Sequence, residues 1–167
     1  VIHHERRPEI TGARFHFAGP QASTPWLSAV AGFVRSISTE TFLLLLDDYG
    51  LCGAPQTQLV ERANLLLKDD PAAGMFPLCW YPAHDRQPIG DGIIKLAGCP
   101  ILLQGAIWRR DWFLSLADAV NPKCSPWGFE SMATQAAKRL PRTIYAADIQ
   151  GRQASGGRFI DGLEKLV

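Results

Sequence analysis

Residues Ala13 to Gly19, A-R-F-H-F-A-G, alternate apolar and polar and stop at Gly19-Pro20. A period of two closed by a breaker predicts a strand. Ser23 or Thr24 can cap a helix, and Pro25 suits its first helical position. Trp26, Val30, Phe33, Val34 and Ile37 then recur at helical spacing, which predicts one apolar face buried against a sheet. The next run, T-F-L-L-L-L-D-D from Thr41 to Asp48, does not alternate. Continuous apolarity predicts a strand covered on both faces, as in a parallel α/β sheet. A second helix is expected from Pro55, with Leu59, Ala63, Leu66 and Leu67 on one side and Asp69-Asp70-Pro71 as its stop.

The stretch M-F-P-L-C-W-Y-P, Met75 to Pro82, reads as a strand near an edge or bulged, because it carries a proline. Two short strands are expected on either side of Gly98-Cys99-Pro100. A helix comes next, from about Arg110 to Val120, with Trp112, Phe113, Leu116 and Val120 inward. After a proline-broken loop, the segment Phe129 to Leu140 is again helical, offering Phe129, Met132, Ala133, Ala136, Ala137 and Leu140 for packing. A last strand over Arg142 to Ala147 precedes the tail Q-G-R-Q-A-S-G-G-R-F, whose glycines predict mobility. The fold class that emerges is α/β, a mixed and mainly parallel sheet flanked by helices. One domain spans residues 1–167, with 1–12 and 151–167 flexible or peripheral.

Composition narrows the partners. The chain is 47% hydrophobic and 20% charged, ordinary for a soluble globule, and its net charge is only +1. No field exists to hold a nucleic-acid backbone or an anionic membrane by charge alone. No apolar run approaches the ~20 residues of a membrane span, and the polar opening V-I-H-H-E-R-R-P differs from a secretory signal. A cytoplasmic setting is the expectation. Cys52, Cys79, Cys99 and Cys124 contain no C-x-x-C pair, so free thiols in a reducing interior are expected rather than a zinc site. His3 and His4 are read as solvent-exposed.

The chemistry concentrates at F-L-L-L-L-D-D-Y-G-L, Phe42 to Leu51. Side chains at the carboxyl end of a buried strand in an open α/β sheet face the crevice where such folds bind ligands. Asp47 and Asp48 fall there, and their hard oxygens suit Mg²⁺ or Mn²⁺ shared with a substrate's phosphates. The plainer alternative is that they cap the adjoining turn. A P-loop is excluded, since no G-x-x-x-x-G-K-[ST] occurs. A second acid lies in S-P-W-G-F-E, Ser125 to Glu130, at a loop-to-helix junction. Trp127 offers a flat face for a sugar ring and Glu130 could take a proton from a hydroxyl. Equally, Trp127 and Phe129 could be core plugs and Glu130 a partner of the helix dipole.

Three segments together, F-L-L-L-L-D-D-Y-G-L, then I-L-L-Q-G-A-I-W-R-R-D-W-F-L-S-L from Ile101, then S-P-W-G-F-E-S-M-A-T-Q-A-A-K-R-L from Ser125, resemble GT-A type glycosyltransferases, in particular bacterial members. The resemblance covers about residues 13–147. It implies metal binding by Asp48 with Asp47, a catalytic base at Glu130, and donor or acceptor contacts from Tyr49, Gln104, Trp108, Arg109 and Trp127. It also implies a nucleotide-sugar donor and a saccharide acceptor, with a non-catalytic carbohydrate- or protein-binding domain as the alternative. The family places further βα units before the acidic strand, whereas here residues 1–46 precede Asp47. Two alternatives follow: the N-terminal part of a GT-A-like donor half is missing from this sequence, or the domain is a reduced relative with an altered ligand; a missing sheet portion would expose an apolar edge that a second copy could cover.

Overall fold

The computed structural model describes residues 25–45, 57–78 and 83–148, together with the backbone of four short strands at 2–4, 15–17, 49–51 and 163–165. In chain order the elements are β1 (Ile2–His4), β2 (Phe15–Phe17), α1 (Trp26–Ser36), β3 (Thr41–Leu44), β4 (Tyr49–Leu51), α2 (Thr57–Asp69) and β5 (Ala73–Pro77). They continue as β6 (Asp85–Gly90), β7 (Ile93–Ala97), β8 (Ala106–Arg109), α3 (Arg110–Asp118), α4 (Pro126–Ala137), β9 (Thr143–Ala147) and β10 (Leu163–Lys165). A six-stranded sheet of order β3-β8-β5-β9-β7-β6 forms the centre. β1 pairs with β2, and β4 with β10, in separate two-stranded sheets.

The sheet is mixed, as the patterning predicts, but parallel pairing is confined to β5 beside β9. The pairs β3/β8, β5/β8, β7/β9 and β6/β7 are antiparallel. Strands β3, β5, β9 and β6 thus share one direction, and β8 and β7 run between them the other way. A hairpin makes the β6 to β7 reversal. Gly90, Asp91 and Gly92 all adopt positive φ, at 103°, 54° and 70°, which glycine tolerates and aspartate accepts more readily than most residues. Sequence patterning overlooks β6 because its D-R-Q-P-I-G is exposed throughout and carries a proline.

Alternation along the central strands sends side chains into two layers. Met75, Ala106, Trp108, Ile144 and Ala146 face α1, α3 and α4. Phe76, Ile107, Ile93 and Ala147 face α2 through Ala63 and Leu67. A line of rings crosses the first layer. Trp108 meets Phe113 edge-on at 5.3 Å, Phe113 meets Phe129 at 5.6 Å, and Phe129 meets Trp26 at 6.0 Å. The rings thereby join β8 to α3, α3 to α4 and α4 to α1.

Several expectations change in detail. In α1 the buried stripe is Leu27, Ala31 and Val34. Trp26, Val30 and Phe33 are only partly buried, because the helix rests on α3 and α4 rather than directly on the sheet. Pro25 is its N-cap, not its first helical residue; Ser23 and Thr24 lie outside the described residues. β3 is not covered on both faces. Among the described residues it is an edge strand paired with β8 alone, and Leu43 remains 48% exposed. β5, expected near an edge or bulged, follows the second course: it lies inside the sheet with an irregular register between Ala73 and Met75. Pro77 is tolerated because it ends the strand, after which the Leu78 N–H donates to the Gly105 carbonyl at 2.8 Å.

Gly74 shows how tightly that irregularity is packed. A methyl group there would overlap the Trp112 ring and lie 2.7 Å from Arg142 Cβ. Neither neighbour is the free end of a flexible chain. Gly74→Ala is therefore expected to lower unfolding free energy by about 3 kcal/mol, read from the urea midpoint at unchanged slope.

At the other end of α2, Asp70 accepts from the Ala72 N–H at 2.8 Å and from the Tyr145 hydroxyl at 2.8 Å. Burial first, and then the Asp70 carboxylate, push the Tyr145 phenol above its ordinary value of 10.0. The folded state therefore holds this proton more tightly than the unfolded chain. Its stabilisation is complete below about pH 10 and is lost as pH rises through the raised value. Tyr145→Phe is expected to cost about 1 kcal/mol at pH 7. The gap between wild type and variant should close as denaturation is repeated above pH 10; a constant gap would show that the phenol does not titrate against Asp70.

Candidate functional site

The register defines a common end of the sheet. β3 and β5 finish where β8 starts, with Leu44 and Pro77 both opposite Ala106. β9 finishes where β7 starts, with Ala147 opposite Ile93. β3 leaves this end toward Asp47 and Asp48, which lie outside the described residues. The backbone of Tyr49 forms part of β4, opposite Lys165 of β10.

The segment 101–105 reaches the same end and feeds β8. Helix α4 flanks it. Ser125 caps α4 by accepting from the Gly128 N–H at 3.2 Å, and Pro126 fills the first helical position. The helix thus starts three residues before Phe129, where patterning alone places it. Burying Phe129, Ala133 and Ala136 fixes its rotation. That rotation leaves Trp127 78% exposed, so Trp127 is a surface ring and not a core plug.

Glu130 is half-buried. One carboxylate oxygen, Oε1, accepts from the Leu103 N–H at 2.6 Å. No hydrogen bond to its other oxygen is present among the described residues. One helical turn on, the Thr134 hydroxyl accepts from the Ile101 N–H at 2.8 Å and donates to the Glu130 carbonyl at 2.7 Å. Ile101 and Leu103 are each only 1% exposed, so both amides need these partners. Thr134 has no signal in sequence beyond being the one hydroxyl four residues after Glu130 on that helix face.

The remaining candidates separate. Gln104 sits on the segment leading into β8, at the same end as Glu130. Trp108, 0% exposed, belongs to the core with its ring packed on Phe113; it cannot contact a ligand at the surface. Arg109 lies at the far end of β8. Its guanidinium donates to the Leu67 and Asp70 carbonyls at 2.9 and 3.4 Å, which caps the carboxyl end of α2, and to Asp111 at 3.3 Å. The causes differ: strand alternation turns Trp108 into the buried layer beneath α3, whereas Arg109, as the last residue of the strand, is carried to the opposite end of the sheet.

Cys99 and Cys124 are free thiols, both pushed up in pKa mainly by burial, which disfavours a reactive thiolate. Cys52 and Cys79 lie outside the described residues. Among the described residues no group of three or more His, Cys, Asp or Glu could hold a metal ion. Nor is any described helix long and apolar enough to cross a membrane.

No protein-family model matches the chain, and no curated protein does. Solved structures do. A UDP-glucose pyrophosphorylase complexed with UDP-glucose superposes at a TM-score of 0.50 with 14% identity, covering 83% of this chain and 59% of that one. An apo UDP-glucose pyrophosphorylase gives 0.51 with 12% identity, covering 90% and 58%. The chain therefore spans less than two thirds of these structural neighbours. At such identities the likeness is one of fold: an α/β domain with a mixed sheet, similar to that of the pyrophosphorylase.

Proposed function

We propose that the chain is the core of a GT-A type transferase domain, which takes a sugar from a nucleotide-sugar donor and passes it to a saccharide hydroxyl. The observation that carries this reading is the placement of Glu130. Its carboxylate lies on helix α4 against Leu103, at the end of the sheet where β3 stops, with the exposed Trp127 one turn earlier; Asp47 and Asp48, three and four residues beyond the last residue of β3, enter this reading from the sequence alone. The fold likeness to a pyrophosphorylase solved with UDP-glucose supports the donor class.

In this mechanism a saccharide stacks on Trp127 and presents a hydroxyl to the oxygen of Glu130 that Leu103 leaves open. Glu130 takes the proton, the alkoxide oxygen bonds to the anomeric carbon, and the bond to the diphosphate breaks, its electron pair leaving with the phosphate. A single displacement inverts the anomeric centre. Asp47 and Asp48 are the proposed ligands of Mg²⁺ or Mn²⁺. A cation held there would supply charge neutralisation for the leaving diphosphate.

The second reading is a carbohydrate-binding module without transfer. It is favoured by the bond between Glu130 Oε1 and the Leu103 N–H, which gives this acid a structural task. Glu130→Gln decides between them, because glutamine still offers an oxygen to Leu103 but is no base. With UDP-glucose, glucose as acceptor and Mn²⁺ present, the wild type is expected to release UDP. The glutamine variant should bind UDP-glucose normally in calorimetry and release UDP about 100-fold more slowly. Glucose binding without UDP release in the wild type would establish the module, and binding of neither glucose nor UDP-glucose would remove both readings.

Trp127→Ala supplies an independent check. A side chain this exposed contributes little to the fold, so its loss should change unfolding free energy by no more than about 0.5 kcal/mol. The same substitution should raise the KM for glucose as acceptor in UDP release. An unchanged KM would assign Trp127 no part in acceptor stacking.

A further inference from the structure

The contact between α4 and residues 101–103 has matched spacing. Glu130 and Thr134 are four residues apart on a helix, a rise of about 6 Å. Ile101 and Leu103 are two residues apart in extended chain, about 6.6 Å. Two acceptors on one helix face therefore meet two successive same-side amides, Thr134 with Ile101 and Glu130 with Leu103. A helix here does what a neighbouring strand would do.

The rungs are also linked. The Thr134 hydroxyl gives its single proton to the Glu130 carbonyl at 2.7 Å, so its lone pairs are turned to the Ile101 N–H. That amide belongs to a residue 1% exposed, where an unmet donor is costly. Ile101 consequently cannot shift without dragging Leu103 along the extended chain, and Leu103 is what holds Oε1 of Glu130. We propose that Thr134 is a positioning residue for Glu130: by holding Ile101 it fixes Leu103, and through Leu103 the carboxylate and the segment that leads into β8. The catalytic part of this role rests on the transferase reading. The positional part stands without it.

The test uses the full chain with Thr134→Val, Thr134→Ser and Glu130→Gln. Valine keeps the shape and removes the acceptor; serine restores it. Amide hydrogen exchange at Leu103, which Thr134 does not touch, reads the positional claim, with Ile144 in β9 as the monitor of global opening. The expected result is at least tenfold faster exchange at both Ile101 and Leu103 in Thr134→Val, no change at Ile144, and recovery in Thr134→Ser. With UDP-glucose as probe, kcat for UDP release should fall about tenfold in the valine variant at unchanged KM, again rescued by serine. Glu130→Gln should keep slow exchange at Leu103 while losing turnover. Faster exchange confined to Ile101, or a valine variant with wild-type kcat, overturns the proposal. If the wild type releases no UDP, the transferase reading falls, and Leu103 exchange alone decides whether Thr134 positions Glu130. Thr134→Ala carries the same comparison should the valine variant fail to accumulate.

Discussion

The line of rings from Trp108 through Phe113 and Phe129 to Trp26 is the contact on which the rest of the site depends. It links the centre of the sheet to three helices in succession. Phe129 is fully buried in it and immediately precedes Glu130, so the ring's insertion sets the rotation of α4. That rotation determines the other features: Trp127 outward, Glu130 and Thr134 toward residues 101–103, and Ala133 and Ala136 inward. Aromatic burial supplies large apolar area with defined geometry. The position of the carboxylate is thus a by-product of core packing, which is a sturdier support than a loop would be.

β8 explains why a short stretch of sequence served two ends of the molecule. Its start receives the segment held by α4, and its end carries Arg109 across to the carboxyl end of α2. The strand between them is four residues of core. The contact of Glu130 with Leu103 at one end and the helix cap at the other are separated by little more than one buried tryptophan. Trp108 keeps an indole N–H without a hydrogen-bond partner among the described residues, which is uncommon for a buried donor.

Much of this was legible in the residues. Helices α2, α3 and α4 announce themselves through apolar spacing that local periodicity captures, and the strands at β7, β8 and β9 through short apolar runs between breakers. What patterning could not resolve was which neighbours those runs acquire. T-F-L-L looks the same whether a strand is covered twice or lies at an edge, since the difference is made by elements far away in sequence. D-R-Q-P-I-G hid β6 for the opposite reason, because an exposed edge strand needs no apolar face. For the site, Glu130 and Trp127 stood out by type and spacing. Trp108 was singled out only through the family resemblance and proved to be packing. The bond from Leu103 to Glu130 spans 27 positions, and nothing local in either segment foretells it.

The two borders of the sheet are built unequally. β6 carries Pro88, charged Asp85 and Arg86 and an irregular register beside Gly90, all of which discourage a further strand from adding. β3 has none of these, and Leu43 and Leu45 stand 48% and 38% exposed along it. Among the described residues, then, the two borders differ in kind: β6 is built against the addition of a strand and β3 is not, so the sheet carries a polarity that the nearly neutral charge of the chain does not reveal.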